Sequence, residues 1–398
     1  MPENMANSLL LFFCILPLFI WIYLGFFRYF FWRPIVLPSN ISTYPIKDLQ
    51  VFAVIPARNE AEVIKKTLFS VLQQNSPALK KIIVINDNSD DQTVTMINQL
   101  IKESDPLKKI LLLQGKPLIA GWTGKLWAVH QGIQKISDLS LANEQQDVYV
   151  WLTDADVIHH PQTLSHLLSI VQEKRVDLVS VMVKLSAKIF WEKLLIPAFI
   201  YFFQKLYPFA AVSSDKSKIA AAAGGCILIR QKTLEKIGGV ASIRNQLIDD
   251  CSLAKKVKNS GGQLWLGLTN TSIAARPYEN LNQLWRMVTR SAYRQLDNSF
   301  ILLILTCVGM VATYLLPWIF IILSLVIFNW LYLFLSFLTI ILMIRTYLPT
   351  LNLYQLPKIW SLFLPIAAFF YLMMTIHSAY LHKVGKGGNW KGRLQANG

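Results

Sequence analysis

The sequence predicts an α/β domain built on a mostly parallel, Rossmann-like sheet, set between apolar helices at both ends of the chain. Three observations carry that expectation. From Gln50 to Thr153, short β-rich runs alternate with helical stretches, the pattern of right-handed βαβ units. Two of those runs end abruptly in clusters of acids and amides, at the strand ends where open α/β sheets place their ligands. Uncharged stretches of bilayer length flank the region, and the 398 residues are 54% hydrophobic with a mean hydropathy of +0.40.

Taken in order, Ser8–Phe27 is a run of twenty residues without a charge, long enough to cross a bilayer. Its length and the lack of a small-residue cleavage site favour an anchor over a signal peptide. Arg28, Arg33 and Lys47 follow it, against Glu3 before it, so the positive-inside rule puts the next domain, residues 48–296, in the cytoplasm. Arg33–Pro45, with three prolines, reads as a linker. Gln50–Ile55 is a strand ending at Pro56, followed by a helix to Gln74. Lys81–Ile85 is a second strand, running into Asn86-Asp87-Asn88-Ser89-Asp90-Asp91. A helix to about Lys102, a strand at Ile110–Leu113 and a helix at Gly124–Ile136 come next. Asp147–Thr153 is the fourth strand and ends in Asp154 and Asp156; His160-Pro161 then opens a helix.

The second half is less regular. Ser186–Val212 is rich in aromatic and aliphatic residues but carries Lys188, Glu192, Lys193 and Lys205, too many charges for a span. It suits an interfacial helix pair with snorkelling lysines, or an ordinary buried helix. Ala220–Gly225 is a small-residue turn leading to the strand Cys226–Arg230, and Gly224 and Gly225 permit close backbone approach to a ligand. Asp249 and Asp250 open the helix Cys251–Lys258, as caps or as chemistry. Glu279–Leu296 has helical periodicity, with Arg286, Arg290 and Arg294 as a cationic stripe suited to phosphate oxygens. Residues 300–344 are uncharged and suit two spans, residues 359–381 form a third apolar segment, transmembrane or re-entrant, and residues 382–398 are a basic tail. One span before the domain and three after it would put that tail outside. Its Lys383, Lys386, Lys391 and Arg393 call for the inside, so one segment is expected not to cross.

The net charge of +16 is spread along the chain and no nucleic-acid module is present, so nucleic acid is not expected as a partner. Anionic headgroups and phosphorylated substrates account for the charge more simply. The four cysteines form no C-x-x-C pair and two of them lie within apolar spans, so neither a disulfide framework nor a zinc site is supported. Asp154 and Asp156, at a strand's carboxyl end, are oxygen donors of the kind Mg²⁺ takes together with substrate phosphates; a solvated turn is the alternative.

Four motifs, in order and spacing, then carry a resemblance. V-I-P-A-R-N-E at Val54–Glu60, I-N-D-N-S-D-D-Q-T at Ile85–Thr93, G-K-L-W-A at Gly124–Ala128 and T-D-A-D at Thr153–Asp156 resemble the nucleotide-sugar half of family 2 glycosyltransferases, which have a GT-A fold. The likeness runs from Val51 to Arg294. The stretches A-A-A-G-G-C, I-D-D-C and W-K-G-R look most like the hopanoid-associated, lipid-glycosylating branch. The resemblance implies that Pro56, Ala57 and Glu60 line a uridine pocket and that Asp87 bonds the base. Asn86 and Asn88 stand where the family's motif has Asp and Gly, which weakens the implied selection of uracil. Lys125 would lie by the nucleotide, with Lys116 a competitor. Asp154 would meet ribose or metal-bound water, and Asp156 would hold Mg²⁺ or Mn²⁺ on the diphosphate. His159 is a further candidate ligand. Gly224 and Gly225 would border the acceptor, Asp250 would be the catalytic base with Asp249 beside it, and Arg286 and Arg290 would share the diphosphate charge. Gln283-Leu284-Trp285-Arg286-Met287 resembles the Q-x-x-R-W signature of polymer-building relatives, with Met287 in place of Trp.

The expectation is therefore a multi-pass cell-membrane enzyme with its catalytic domain in the cytoplasm. It would move one sugar from a nucleotide-sugar donor, UDP-linked by the resemblance, to a membrane-lipid acceptor hydroxyl with inversion. A processive polysaccharide synthase and a non-catalytic nucleotide-sugar-binding membrane protein are the alternatives.

Overall fold

The structure, a computed structural model, describes residues 2–38, 49–140, 147–387, 389–390 and 393–394. Residues 39–48, which hold part of the expected linker, and Lys391 in the tail lie outside them. The chain forms two compact units, an α/β unit (Ile35–Ser186 and Ala211–Pro277) and a helical unit (up to Pro34, Ala187–Ala210 and Tyr278–Gly387).

The α/β unit is built on a sheet of eight strands: β1 (Leu49–Ala57), β2 (Leu79–Asn86), β3 (Ile110–Gln114), β4 (Asp147–Thr153), β5 (Val157–His159), β6 (Leu178–Lys184), β7 (Cys226–Arg230) and β8 (Leu264–Ala274). Their order is β3-β2-β1-β4-β7-β6-β8-β5. The first four are mutually parallel, with β1 between β2 and β4. Their apolar runs are buried nearly end to end, as strands covered on both faces must be. Because these strands point the same way, Ala57, Asn86, Gln114 and Thr153 finish on one edge. That edge is where ligands bind in open α/β sheets. β1 carries on through Pro56, beyond its last rung with β4 at Val54↔Leu152.

The other half departs from the parallel pattern. β7 runs antiparallel to β4 and β6, β8 is parallel to β6, and β5 is antiparallel to β8. The sheet is mixed, with four parallel and three antiparallel pairings. On one face lies the helix Gly124–Ser140, so close that a Cβ at Gly132 would sit 2.6 Å from Val54 Cγ1 and 2.7 Å from Ile85 Cδ1. Only glycine fits there without displacing the Val54 and Ile85 side chains or the helix itself.

Among the described residues, the helical unit holds four helices long and apolar enough to cross a membrane: Asn7–Phe27, Phe300–Val326, Trp330–Leu353 and Lys358–Lys383. The uncharged run from 300 is divided where Asn329 caps the next helix, its Oδ1 accepting the N–H of Leu331 and Tyr332. That helix runs past the expected end at 344 to Leu353. Large apolar side chains such as Phe19, Ile301 and Phe334 point outward from these helices, uncovered by protein.

Two boundaries differ from the sequence reading. The helix Phe190–Leu206 is not an open interfacial helix: Leu194–Ala198, Ile200 and Tyr201 are buried. Tyr371 Oη donates to the Leu195 carbonyl at 3.0 Å, and Tyr201 Oη lies 2.7 Å from Thr346 Oγ1. Lys205 does not snorkel; its ammonium donates to Tyr314 Oη at 2.9 Å. A helix that is apolar nearly all round needs cover on every side, and here the apolar helices supply it. Secondly, Tyr278–Leu296 belongs to this unit, with Trp285 Nε1 donating to His377 Nδ1 at 2.7 Å and Ser378 Oγ donating to the Thr289 carbonyl at 2.6 Å. The helix there is Leu281–Thr289, shorter than expected, and Arg294 falls in a separate 3-10 turn.

Candidate active site

A pocket opens at the carboxyl edge of the parallel strands, lined by Pro56, Lys125, Asp154, Gly224, Asp249 and Asp250, with Leu126, Val129, Val240 and Ile243 as an apolar wall. Each polar group arrives for a local reason. Thr123 starts the helix Gly124–Ser140 as its N-cap, Oγ1 accepting the Leu126 N–H at 3.3 Å, which leaves Lys125 in the first turn. Asp154 is the first residue past β4. Asp249 and Asp250 form the first turn of the helix Asp249–Asn259, which ends in Lys256 and Lys258, so its charges complement its dipole at both ends. The turn Ala223–Cys226 lies between them.

Lys125 Nζ stands 2.9 Å from Asp154 Oδ1 and 3.5 Å from Asp249 Oδ2. Burial works against its ammonium, but the facing carboxylates of Asp154 and Asp249 outweigh that and raise its pKa. Asp250 accepts the Gly224 N–H at Oδ2 (2.8 Å) and the Cys251 N–H at Oδ1 (2.7 Å). Burial, then the neighbouring Asp249, push its carboxyl up to about 6 against the pull of Lys125. Gly224 allows this closeness: a Cβ there would lie 3.3 Å from Lys125 Nζ and 3.4 Å from Asp250 Oδ2. The two acids therefore differ in role, Asp249 pairing with the lysine and Asp250 held by backbone N–H groups.

Beside the pocket, the loops after β1 and β2 are locked together. Arg58 Nη1 donates to the carbonyls of Asp87 (2.7 Å) and Asn88 (2.8 Å), and the Asp87 N–H reaches the Ala57 carbonyl at 2.8 Å. Asn59 and Asn88 take positive φ, a conformation asparagine tolerates. Asn86 Nδ2 donates to Gln114 Oε1 at 2.8 Å, so the departure from Asp at this position serves a loop contact. Ala57, Glu60 and Asp87 are buried under these loops and Pro56 alone of the implied base-site residues reaches the pocket wall.

The remaining candidates fall elsewhere. Asp156 lies in the turn before β5, its carbonyl accepting the Ala275 N–H at 2.7 Å. Lys116 gives its N–H to Gln131 Oε1 and its carbonyl to Trp127 Nε1, and is not a pocket residue. Gly225 points its carbonyl at Thr153 Oγ1. His159 is buried, with Nε2 2.8 Å from Thr153 Oγ1 and Nδ1 2.8 Å from Ser272 Oγ, so both ring nitrogens have hydrogen-bond partners. Arg286 and Arg290 are exposed residues of the helical unit.

Sequence reasoning passed over three residues. Ser180 pins the glycine turn, accepting the Ala223 N–H at 2.8 Å and facing its carbonyl at 3.2 Å; its signal was a lone hydroxyl in an apolar strand. Arg276, past the end of β8, lies 2.8 Å from the buried Glu60 carboxylate. Thr153 stood in plain view ahead of the D-A-D motif with no role given to it.

The sheet order, the strand-end pocket and the paired acids describe a fold of GT-A type. The mannosyltransferase PcManGT from Pyrobaculum calidifontis, in complex with GDP-Man and Mn²⁺, is similar in fold, with a TM-score of 0.54 at 17% identity over 96% of this chain and 100% of that one. Residues 52–238 match the profile of Glycosyl transferase family 2. A protein of Bacillus subtilis (strain 168), "Probable glycosyltransferase YdaM", is 29% identical over 252 residues, 62% of this chain. The alignment spans 56% of that relative, a little over half its length.

Proposed function

We propose that the protein is a membrane-anchored, inverting glycosyltransferase that moves a single sugar from a nucleotide-sugar donor to the hydroxyl of a membrane lipid, of isoprenoid or hopanoid type by the sequence resemblance. One observation carries the reading. A half-buried carboxylate, pushed up to about 6, stands beside a lysine–aspartate pair in a pocket at the strand ends. The acceptor hydroxyl oxygen attacks the anomeric carbon, its proton passes to Asp250, and the bond from that carbon to the diphosphate oxygen breaks, releasing the nucleoside diphosphate. A base with a pKa near the working pH is suited to that transfer. Gly224 N–H orients the carboxylate and Lys125 places positive charge where phosphate oxygens would lie. A single displacement without a covalent sugar intermediate inverts the anomeric configuration.

Asp154 and Asp156 would hold Mg²⁺ or Mn²⁺. No group of three or more His, Cys, Asp or Glu side chains able to hold a metal occurs among the described residues. One or two carboxylates completed by substrate phosphates is how Mg²⁺ is ordinarily bound, and the all-oxygen set fits. When bound, the cation supplies Lewis-acid stabilisation of the leaving diphosphate. The GDP-Man and Mn²⁺ of the archaeal mannosyltransferase support the donor class. UDP is the nucleotide favoured here, and Arg286 and Arg290 are assigned to the diphosphate.

The four apolar helices support the membrane location, and Arg28 and Arg33, just past the first, favour a cytoplasmic catalytic unit. Asp250→Asn keeps size and removes the proton acceptor, so kcat should fall about 10²- to 10⁴-fold with donor affinity little changed. The assay offers UDP- and GDP-sugars with a membrane lipid extract and reads the product by mass spectrometry and its anomer by NMR. Near-normal turnover of Asp250→Asn, or a retained anomer, would overturn the reading.

A further inference from the structure

His159 is buried beneath the pocket and its hydrogen bonds have a fixed direction. Thr153 Oγ1 lies 2.9 Å from the Gly225 carbonyl, which can only accept, so the single Thr153 hydroxyl proton points there. Toward His159 the same oxygen must accept, so Nε2 carries the ring proton across the 2.8 Å contact. Nδ1 then accepts from Ser272 Oγ at 2.8 Å. Burial pulls the imidazole down to about 3, which keeps it neutral and keeps this order. The residue is clamped as well: its main-chain N–H donates to Ser70 Oγ at 3.0 Å, and its ring packs on Trp151 with centroids 4.8 Å apart and planes tilted by 59°. The chain Ser272, His159, Thr153 thus ends on Gly225, one residue past the Gly224 whose N–H holds Asp250 Oδ2 at 2.8 Å.

We propose that His159 and Thr153 are positioning residues, which fix the Gly224–Gly225 turn so that the Gly224 N–H holds the Asp250 carboxylate for proton abstraction. This rests on Asp250 being the base. A neutral imidazole with its proton on Nε2 is what the task needs.

A double-mutant cycle tests it with the full-length protein. Thr153→Val should lower kcat about 10- to 100-fold, the cost of misplacing a catalytic group by up to an ångström. UDP affinity in the presence of Mn²⁺, by calorimetry, should stay within about twofold, and Thr153→Ser should restore most of the turnover. In an Asp250→Glu background, whose base is already displaced by one methylene, Thr153→Val should cost less than about threefold, because coupled residues are not additive. Equal losses in both backgrounds, or a Thr153→Ser as impaired as Thr153→Val, would overturn the proposal while leaving the base assignment standing. Should Thr153→Val fail to fold, His159→Gln, which keeps a donor near the Nε2 position, replaces it: turnover well above that of His159→Met is expected, and equal impairment overturns the proposal. Normal turnover of Asp250→Asn would instead remove the base itself.

Discussion

Lys125 has one ammonium and three acids to serve. It pairs with Asp154 and Asp249 and lowers the Asp250 carboxyl against burial and Asp249, which push it up to about 6. Removing the cation lets the upward pushes win. In Lys125→Met the acid limb of kcat/KM should therefore move to higher pH by about one unit or more, the usual worth of an opposite charge at close range. The rate falls as pH drops through that limb, so the variant should lose activity between about pH 6 and 7 that the parent retains. A pH–rate profile with an unmoved limb would detach Lys125 from Asp250. Lys125, Asp154, Asp249 and Asp250 were all legible in the sequence, because charged residues at strand ends and helix starts stand out against apolar surroundings. Thr153 and Ser180 were not, because a hydroxyl acquires its role only from the backbone that folding brings opposite it.

Elements read unevenly for a similar reason. β1 to β4 declare themselves as apolar runs between helices, and the edge they share followed. β5 has three residues inside a turn, and β8 runs apolar from Leu264 to Leu268, then polar from Thr269 to Ser272, so neither has a clean period. The antiparallel sense of β7 could not be read because a strand's sequence does not state its direction. β8 matters to the site through its far end, where Arg276 reaches the buried Glu60 and, at 3.5 Å, the exposed Glu62. In Arg276→Leu the Glu60 carboxylate keeps its burial and loses this partner. The cost should be about 2 kcal/mol, below the usual figure for a buried pair because the arginine is itself partly exposed. Thermal melting should register it, and Glu60→Gln in the same chain should recover part of the loss. An unchanged melting temperature would mean that other contacts carry the carboxylate.

At the scale of the whole molecule, the apolar helices run in directions that their contacts reveal. Cys14 lies by Ser336 and Gly25 by Thr346, so Asn7–Phe27 and Trp330–Leu353 are parallel. Trp21 bonds the Thr313 carbonyl and Cys14 packs near Phe320, so Phe300–Val326 runs the other way. Lys358–Lys383 begins just past Leu353 and ends beside Tyr293, which precedes Phe300; Tyr293 N donates to Ser378 Oγ at 3.0 Å. Both ends of that last helix thus belong to the same side of the bundle. A helix that returns to the side it left would keep the basic tail on the side that Arg28 and Arg33 favour, as the positive-inside rule asks. With an impermeant maleimide on intact cells, Asn329→Cys should label and Lys391→Cys should not. Labelling of Lys391→Cys from outside would make the fourth helix a span.

Gly132 gives the active site an adjustment screw that no inspection of the pocket would find. It sits two helical turns from Lys125, about 10 Å along the axis, with Val54 and Ile85 already at the distance a Cβ would need. An added methyl must push these two side chains aside or lift the helix, and the ammonium rides with any lift. Natural variants or designed libraries touching position 132 should therefore register first as changes in turnover and pH response, while every residue that meets substrate is still in place.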